Sequence, residues 1–523
     1  MATVSPHGIQ LHRIPAALLR TRSQGSEVTT TAVWPTTVVR LLDQAAPGNV
    51  RADPGGWPLW RRLLPHVLAA AGRDVALDRV PAEATGLLDR AATYLFTRGE
   101  PQAALAPYER AYDVRRDKFG DDHPDTLTSA SNLALNLAGR TDGRMGEQQR
   151  ARALDEDTLT RRRRILGDDH PDTLTSASQL AHDLFGLGNY PRARDLQEET
   201  LGRRRRILGE DHPDTLRWAG LLGLVLWSLG DYQQARQLLH DTLTRSGGVL
   251  GEDHPHTLTA ASVLGMVLWS LGNYQQARQL LTDTLTRGRG VLGEDHWTTL
   301  LSAIYLGMVL WSLGDYQQAR QLQTDTLTRS RRGLGEDHIF TLRSASFLGL
   351  ILGSLGNYHQ ARQLQSDAFT RSRRVHGENH AYTLDLARLL GLTLGALGQH
   401  MEAQQLLNDT FTRSRRILGE DHPETLRTAS LLGLTVGALG KHQQARQIQS
   451  DALSRLRRVL GDNHPETLTS ASRLAAHLRE LGEYQQSRTL DQDTLARRRR
   501  VLGADHPDTL TSANNLAADR RAG

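Results

Sequence analysis

Residues 251–296 read GEDHPHTLTAASVLGMVLWSLGNYQQARQLLTDTLTRGRGVLGEDH, so the segment starts and finishes on the same Gly-Glu-Asp-His run. We call this run, with the proline that usually follows it, the histidine motif. Its histidine recurs every 42 residues, with one step of 47, at His123, His170, His212, His254, His296, His338, His380, His422, His464 and His506. A fixed period of about 20 to 50 residues is the signature of a solenoid. The sequence therefore predicts stacked repeats, with contacts between neighbouring repeats.

Each repeat is expected to hold two helices, A and B. Gly251 ends the preceding helix, and Asp253 or His254 caps helix A, with Pro255 in its first turn. Apolar residues recur at spacings of three and four along helix A, at Leu258, Ala261, Leu264, Gly265, Leu268 and Leu271. The run Leu-Gly-Asn-Tyr at 271–274 forms the turn, and helix B is predicted from about 274 to 292. Its inner residues are Ala277, Leu281, Thr284 and Leu285.

A glycine inside helix A points to close helix packing. Gly265 would cost about 1 kcal/mol relative to alanine at an interior helix position. Its equivalents are Gly223, Gly307, Gly349, Gly391 and Gly433. A close approach of helix B to this position would offset the cost.

The composition constrains the class of protein. The net charge is +5, and only Lys118 and Lys441 among 63 basic residues are lysine. Arginine runs such as residues 161–164 suggest nucleic-acid binding, but an acidic residue stands four positions before each run. These pairs are Asp157/Arg161, Glu199/Arg203, Asp283/Arg287, Asp325/Arg329 and Asp493/Arg497. Such pairs are typical of a solvated helix face and are worth about 0.3 kcal/mol each, so we do not expect nucleic acid as the main partner and keep it as a further alternative.

The sequence also lacks the features of secreted, membrane-spanning and thiolate-metal proteins. The chain has no cysteine, no signal-peptide pattern at its start and no run of 18 apolar residues. We therefore expect a cytoplasmic protein with no membrane segment and no thiolate metal site.

The repeat resembles the tetratricopeptide (TPR) family. Gly265, Leu268, Gly272, Tyr274, Ala277, Leu281 and Thr284 follow the spacing of the TPR helix-turn-helix pattern. The 42-residue period is similar to the extended repeats of kinesin light chain. The pattern departs from the family at Ala261 and Leu281, where a TPR carries aromatic residues. The resemblance implies an all-α, right-handed α-solenoid over residues 81–523, with about ten helix pairs and a terminal helix after His506. It also implies a protein or peptide ligand on the concave face lined by helix A.

Residues 1–80 are predicted to form a separate, small helical region. Short helical patterns begin at Leu11 and Val38, and a third runs from Trp57 to Ala71. The Trp-Pro-Leu-Trp segment before the repeats resembles the region that precedes TPRs in actinobacterial NB-ARC/STAND signalling ATPases. No phosphate-binding Gly-x-x-x-x-Gly-Lys-[Ser/Thr] motif is present, because Gly440-Lys441 is followed by His442. The resemblance implies a sensor arm without its NTPase module, or a regulatory subunit of a separately encoded NTPase.

The recurring histidines do not suggest catalysis. Successive histidine motifs belong to successive repeats and share one capping role, so three or four of them are not expected to converge on a metal ion. We predict no catalytic, cofactor-binding or metal-binding residue and no cofactor.

The central repeats differ from the outer ones in helix A. Trp227, Trp269 and Trp311 share one register, where the next three repeats carry glycine, and Met266, Met308 and Leu350 share the register three residues earlier. One interpretation is an apolar groove for a peptide or amphipathic helix, formed by these six residues. The equally weighted alternative is packing of the tryptophans between successive A helices, which would bury about 2–3 kcal/mol each.

Overall fold

The structure is a computed structural model that describes residues 2–5, 8–11, 33–48, 50, 56–72, 74–98, 100–138 and 145–522. It contains two compact units. Unit 1 comprises residues 1–140 and 150–179, and unit 2 comprises residues 141–149 and 180–523. The 47-residue step between His123 and His170 predicts five extra residues in a longer turn near 140–146, and most of this segment lies outside the described residues.

The described residues form 24 helices and one short strand pair, so the chain is an all-α solenoid. The N-terminal elements are β1 (Ala2–Ser5), β2 (Gly8–Leu11), α1 (Val33–Ala45), α2 (Trp57–Ala71) and α3 (Asp74–Arg79). The A helices are α4 (Pro81–Thr97), α6 (Pro124–Ala138), α8 (Pro171–Gly186), α10 (Pro213–Leu229), α12 (Pro255–Ser270), α14 (Trp297–Ser312), α16 (Ile339–Ser354), α18 (Ala381–Ala396), α20 (Pro423–Ala438), α22 (Pro465–Glu480) and α24 (Pro507–Ala522). The B helices are α5 (Pro101–Phe119), α7 (Met145–Leu166), α9 (Tyr190–Leu208), α11 (Tyr232–Leu250), α13 (Tyr274–Val291), α15 (Tyr316–Leu334), α17 (Tyr358–His376), α19 (His400–Ile417), α21 (His442–Leu460) and α23 (Tyr484–Val501).

One expected helical pattern is wrong at its start. Leu11 ends strand β2, which pairs antiparallel with β1 through Val4 and Ile9. Ile9 and Leu11 alternate with Gln10, which is the two-residue period of a strand. The rest of that pattern, from His12 onward, lies outside the described residues.

Unit 1 joins the N-terminal helices to the first repeat. Trp60 of α2 is fully buried, and its ring stacks on Tyr94 of α4 with 5.9 Å between centroids. The same core includes Val39 of α1 and Ala111 of α5. Helices on both sides of residue 80 therefore share one core, and the separate 1–80 and 81–523 domains stay a prediction.

In the six central repeats of unit 2 the A helix packs on its own B helix through the glycine expected to allow it. A Cβ on Gly265 would lie 2.5 Å from Cγ of Leu281, and one on Gly223 would lie 2.5 Å from Cγ of Leu239. These distances leave no room for alanine, so the close approach of helix B is confirmed.

The histidine, not the preceding aspartate, caps helix A. His254 has extended backbone angles, and its Nδ1 accepts the backbone N–H of His256 at 3.2 Å. The same bond occurs in every motif, at His123, His170, His212, His254, His296, His338, His380, His422, His464 and His506. The capping role predicted for the motif is therefore confirmed.

Unit 2 also contains contacts that a nearest-neighbour array lacks. Four histidines use their second ring nitrogen, Nε2, to bind a backbone oxygen at the C-terminal end of an A helix 194 residues earlier. These bonds are His380 to Gly186 (2.9 Å), His422 to Ser228 (2.9 Å), His464 to Ser270 (2.7 Å) and His506 to Ser312 (2.7 Å). The start of one A helix therefore lies on the end of the A helix five repeats before it. We call this the turn-to-turn contact.

Candidate ligand-binding surface

The three predicted tryptophans form a regular row in unit 2. All three rings are half-buried, and each indole N–H donates to a serine hydroxyl 43 residues further on. These bonds are Trp227 to Ser270 (2.7 Å), Trp269 to Ser312 (2.8 Å) and Trp311 to Ser354 (2.8 Å). The polar atom of each ring is thus satisfied by the next repeat, and only the apolar ring surface is left to face solvent. We call these three side chains the tryptophan row.

The other three predicted groove residues lie deeper. Met266, Met308 and Leu350 are buried by the chain itself. Met308 and Leu350 belong to one apolar cluster with Ile304 and Leu389, and Trp269 and Trp311 pack against its edge. The structure thus brings the six residues near one another, but only the tryptophans keep exposed surface.

Later repeats carry glycine where the central repeats carry tryptophan, and the space beside the glycine differs from one repeat to another. A Cβ on Gly437 would lie 2.1 Å from Cε1 of His477, so this side chain fills the space that tryptophan fills elsewhere. A Cβ on Gly395 would meet no atom within 4 Å. In the repeat of Gly437, His477 therefore occupies the space beside the glycine. In the repeat of Gly395, no atom lies close to the added Cβ, and this space stays open.

A charged cluster on the later A helices was not anticipated from the sequence. It consists of Arg343, Asp385, Arg388, Glu424, Arg427 and Glu466, all in unit 2. Arg388 Nε lies 3.2 Å from Glu424 Oε2, and Arg427 Nε lies 3.4 Å from Glu466 Oε1. A signal was present, since Arg343, Asp385 and Arg427 occupy one register with alternating sign.

The cluster shifts the ionisation of its members. Burial alone would raise the pKa of the Glu424 carboxyl, but the guanidinium groups of Arg427 and Arg388 hold this pKa below its ordinary value. At the other end of the cluster, the Arg343 guanidinium lies 5.8 Å and 5.1 Å from the ring centres of Tyr305 and Tyr382. Burial raises the pKa of the Tyr382 hydroxyl well above its ordinary value, so this ring stays neutral.

The turn-to-turn contact predicts that unit 2 loses stability in acid. Burial lowers the pKa of His464 to about 4, against 6.5 for the unperturbed group. The unfolded chain therefore takes up a proton between these pH values that the folded chain does not. Stability should fall as the pH drops from 6.5 to 4, by about 1.4 kcal/mol per pH unit for this histidine.

Thermal unfolding followed by circular dichroism across this pH range measures the effect. His464→Asn keeps an acceptor for the helix cap but has no group that titrates, so its melting temperature should depend less steeply on pH. An equal slope in both proteins would show that His464 does not contribute.

The acidic residues predicted to pair with the first arginine of each segment do so in the structure. All five predicted pairs form ion pairs: Asp157/Arg161 (2.7 Å), Glu199/Arg203 (3.1 Å), Asp283/Arg287 (3.0 Å), Asp325/Arg329 (2.8 Å) and Asp493/Arg497 (2.8 Å). Arg287 also binds Asp253 of a histidine motif at 3.1 Å. The aspartate of that motif therefore serves a surface ion pair and leaves the cap to the histidine.

Two features are absent from the described residues. No group of three or more His, Cys, Asp or Glu side chains in that part of the chain could hold a metal ion. No helix there is long and apolar enough to cross a membrane.

Comparison with solved structures finds other helical repeat proteins. Two crystal structures of a putative kinesin light chain from Podosopora anserina, with nearly identical TPR-like repeats, are 23% identical over 39% of this chain and 94% of theirs, with TM-scores of 0.34 and 0.33. A Rap protein in complex with competence and sporulation factor is 12% identical over 77% of this chain and 99% of its own, with a TM-score of 0.47. The apo quorum sensor NprR from B. thuringiensis is 14% identical over 71% of this chain and 98% of its own, with a TM-score of 0.46.

The sequence comparisons identify the repeat itself. A search of curated proteins found no matching sequence. Tetratricopeptide repeat models match residues 86–125, 135–201, 172–246, 222–289, 298–371, 341–415, 383–458 and 466–523. Because these matches span most of the sequence, the chain belongs to the tetratricopeptide repeat family.

Proposed function

We propose that the chain is a non-catalytic scaffold or sensor that binds a protein or peptide in bacterial signalling, and that the tryptophan row contacts the ligand. The observation that carries this proposal is the alignment of three half-buried indole rings in successive repeats, each with its N–H already bonded. Rings held in this way offer rigid apolar surface at low entropic cost. Tryptophan is enriched among the residues that dominate binding energy.

The buried neighbours define what the ligand can reach. Met266 and Met308 lie beneath the exposed ring surface, so they support the tryptophan row and meet a ligand only if A helices separate. The proposal therefore assigns direct contact to Trp227, Trp269 and Trp311. Direct contact of a ligand with Met266, Met308 and Leu350 stays a prediction.

Substitution of the row tests the proposal. A ligand is first identified by affinity capture from the native host and mass spectrometry, and its affinity is then measured by calorimetry. The triple variant Trp227→Ala, Trp269→Ala, Trp311→Ala should weaken binding by at least about 30-fold, which corresponds to about 2 kcal/mol for one dominant contact. It should remain helical by circular dichroism. Each substitution removes one hydrogen bond worth about 1 kcal/mol, together with the packing of the half-buried ring against its neighbours.

Trp297→Ala is the matched control. This tryptophan is also in unit 2, is 43% exposed and stands outside the row at the start of α14. Its removal should leave the affinity unchanged. Equal loss in both variants, or unfolding of the triple variant, would contradict a contact role for the row.

A second candidate function rests on unit 1. Four large apolar side chains are exposed on the two N-terminal helices, namely Val38, Leu41, Leu59 and Leu68. Exposed apolar groups of this size suit a protein partner, and we propose as the alternative that this surface docks on a separately encoded STAND-type NTPase. The chain alone should then bind no ATP by calorimetry. Leu41→Asp with Leu59→Asp should weaken its complex with such an NTPase encoded by a neighbouring gene.

A further inference from the structure

One repeat of unit 2 carries a histidine where the other repeats carry a leucine or a phenylalanine. His376 is the last residue of α17 and stands directly before the histidine motif of His380. The equivalent residue is Phe119 in the first repeat and leucine elsewhere, at Leu166, Leu208, Leu250, Leu292, Leu334, Leu418, Leu460 and Leu502. A titratable side chain at this position therefore distinguishes one repeat from all the others.

His376 lies between the histidines of two successive motifs. Its ring centroid is 5.1 Å from that of His380 and 6.2 Å from that of Tyr382, and His338 faces it from the preceding motif. Both ring nitrogens of His376 are buried, and neither has a hydrogen-bond partner in the described part of the chain. We call His338, His376 and His380 the histidine cluster.

Hydrogen bonds hold the two other members of the cluster in their neutral form. Nδ1 of each accepts a backbone N–H at the start of the following helix, at 3.1 Å for His338 and 3.2 Å for His380. The Nε2–H group of His380 donates to the carbonyl oxygen of Gly186 at 2.9 Å, which is one of the turn-to-turn contacts. A proton on either Nδ1 would remove a helix cap, whereas a proton on His376 breaks no hydrogen bond.

Asp337 is the acidic side chain that faces His376, and two arginines of α17 already bind it. Arg371 and Arg374 lie 3.0 Å and 2.6 Å from its carboxylate oxygens. The other titratable and charged groups around the cluster are Arg343 of α16, Tyr382 of α18, and the pair Arg373 and Glu378 at the end of α17. The carboxylate beside His376 is therefore shared with two cations before His376 takes up a proton.

This environment sets the direction of the response to acid. Burial, together with His380 and His338, lowers the pKa of His376 to about 4, against an ordinary value of 6.5. The ring binds a proton more tightly in water than in the cluster, so a falling pH favours the state in which the ring is exposed.

We propose that unit 2 contains an acid-operated latch, in which a proton taken up by His376 moves its ring out of the histidine cluster and releases His380 from Gly186. The ring is half-buried at the end of α17, so rotation of the side chain brings it into solvent. Its departure removes the packing against the His380 ring, which holds Nε2 in place for the turn-to-turn contact. The inference does not depend on the tryptophan row or on the ligand proposed above.

Hydrogen exchange followed by mass spectrometry at pH 6.5 and pH 4.5 tests the latch in the full chain. The informative backbone N–H groups are those of residues 187–189, beside Gly186, and that of Tyr382 at the start of α18. After correction for the intrinsic pH dependence of exchange, the opening equilibrium at both places should rise at least about 30-fold at the lower pH, as one proton bound with a pKa of about 4 closed and 6.5 open requires. The His376→Leu variant carries the residue found in most other repeats, and its rise should be at least about tenfold smaller.

Two further variants separate the charge of His376 from its packing. His376→Gln keeps a polar side chain but takes up no proton, so it should respond to pH as the leucine variant does. His359→Leu, on an exposed position of α17, is the control and should respond as the wild type does. Equal pH dependence in the wild type and in both His376 variants overturns the proposal. So does an acid response at Tyr382 that leaves residues 187–189 unchanged, because the turn-to-turn contact then stays closed.

Discussion

Replacing Arg427 with methionine is expected to destabilise unit 2 by about 3 kcal/mol, the lower end of the range for breaking a buried ion pair. The Arg427 side chain is 8% exposed and binds Glu424 and Glu466, and the Glu424 side chain is 26% exposed. Methionine keeps most of the volume but leaves two carboxylates without their shared cation. Because Glu424 is partly exposed to water, which screens its charge, we expect a loss of stability below the upper end of that range.

Denaturant unfolding at pH 7 measures this loss, and Arg320→Met on the exposed face of α15 is the control, with an expected change below about 0.5 kcal/mol. The double variant Arg427→Met, Glu466→Gln should recover part of the loss, because it also removes the charge of the carboxylate that lies 3.4 Å from Arg427 Nε. A double variant less stable than the single one would show that the ion pair is not the cause.

The pH dependence gives a second test of the same pair. In the wild type the pKa of Glu424 is lowered, so its stabilising contribution is present above its unfolded value of 4.5 and is lost as the pH falls through the folded value. The Arg427→Met variant keeps only the part of that contribution that comes from Arg388. The stability difference between the two proteins should therefore shrink as the pH is lowered below 4.5.

Gly272→Ala is expected to cost about 2–4 kcal/mol. Gly272 has a φ of +77°, and an added Cβ would lie 2.6 Å from Cδ of Pro465 across the turn-to-turn contact. Alanine at positive φ costs about 1–2 kcal/mol, and the overlap adds about 1–2 kcal/mol. The variant should melt at a lower temperature, with faster hydrogen exchange at the start of α22.

Gly398 provides a closely matched control. It has a φ of +76°, and an added Cβ would meet no atom within 4 Å. Gly398→Ala should therefore show only the backbone cost. Equal destabilisation by the two substitutions would mean that the contact between Gly272 and Pro465 contributes nothing to stability.

The local structure could be predicted from the sequence because it depends on neighbouring residues. The helix A face around Leu264, the turn at Gly272 and the close approach at Gly265 follow from spacing and from backbone preferences within one repeat. The choice of His254 over Asp253 as the cap could not be predicted, because both side chains carry an acceptor for the same N–H.

Contacts between distant repeats could not be predicted from the sequence of a single repeat. The bond from His422 to Ser228 depends on how far each repeat rotates relative to the last, and a small rotation error grows over five repeats. The contacts of the candidate site also depend on how successive repeats pack. The register of Trp269 was visible in the sequence, but its bond to Ser312 and the burial of Met266 follow from the packing of the next A helix.

The spacing of the turn-to-turn contact has a consequence for biosynthesis. The carbonyl of Ser228 leaves the ribosome 194 residues before the histidine that binds it. At translation rates of about 5–20 residues per second, this delay is about 10–40 s. During that time the earlier repeats hold their shape through neighbouring contacts alone. Completion of each solenoid turn is therefore a late event of synthesis, and a nascent chain arrested before His422 should be more sensitive to protease at the end of α10 than the finished protein.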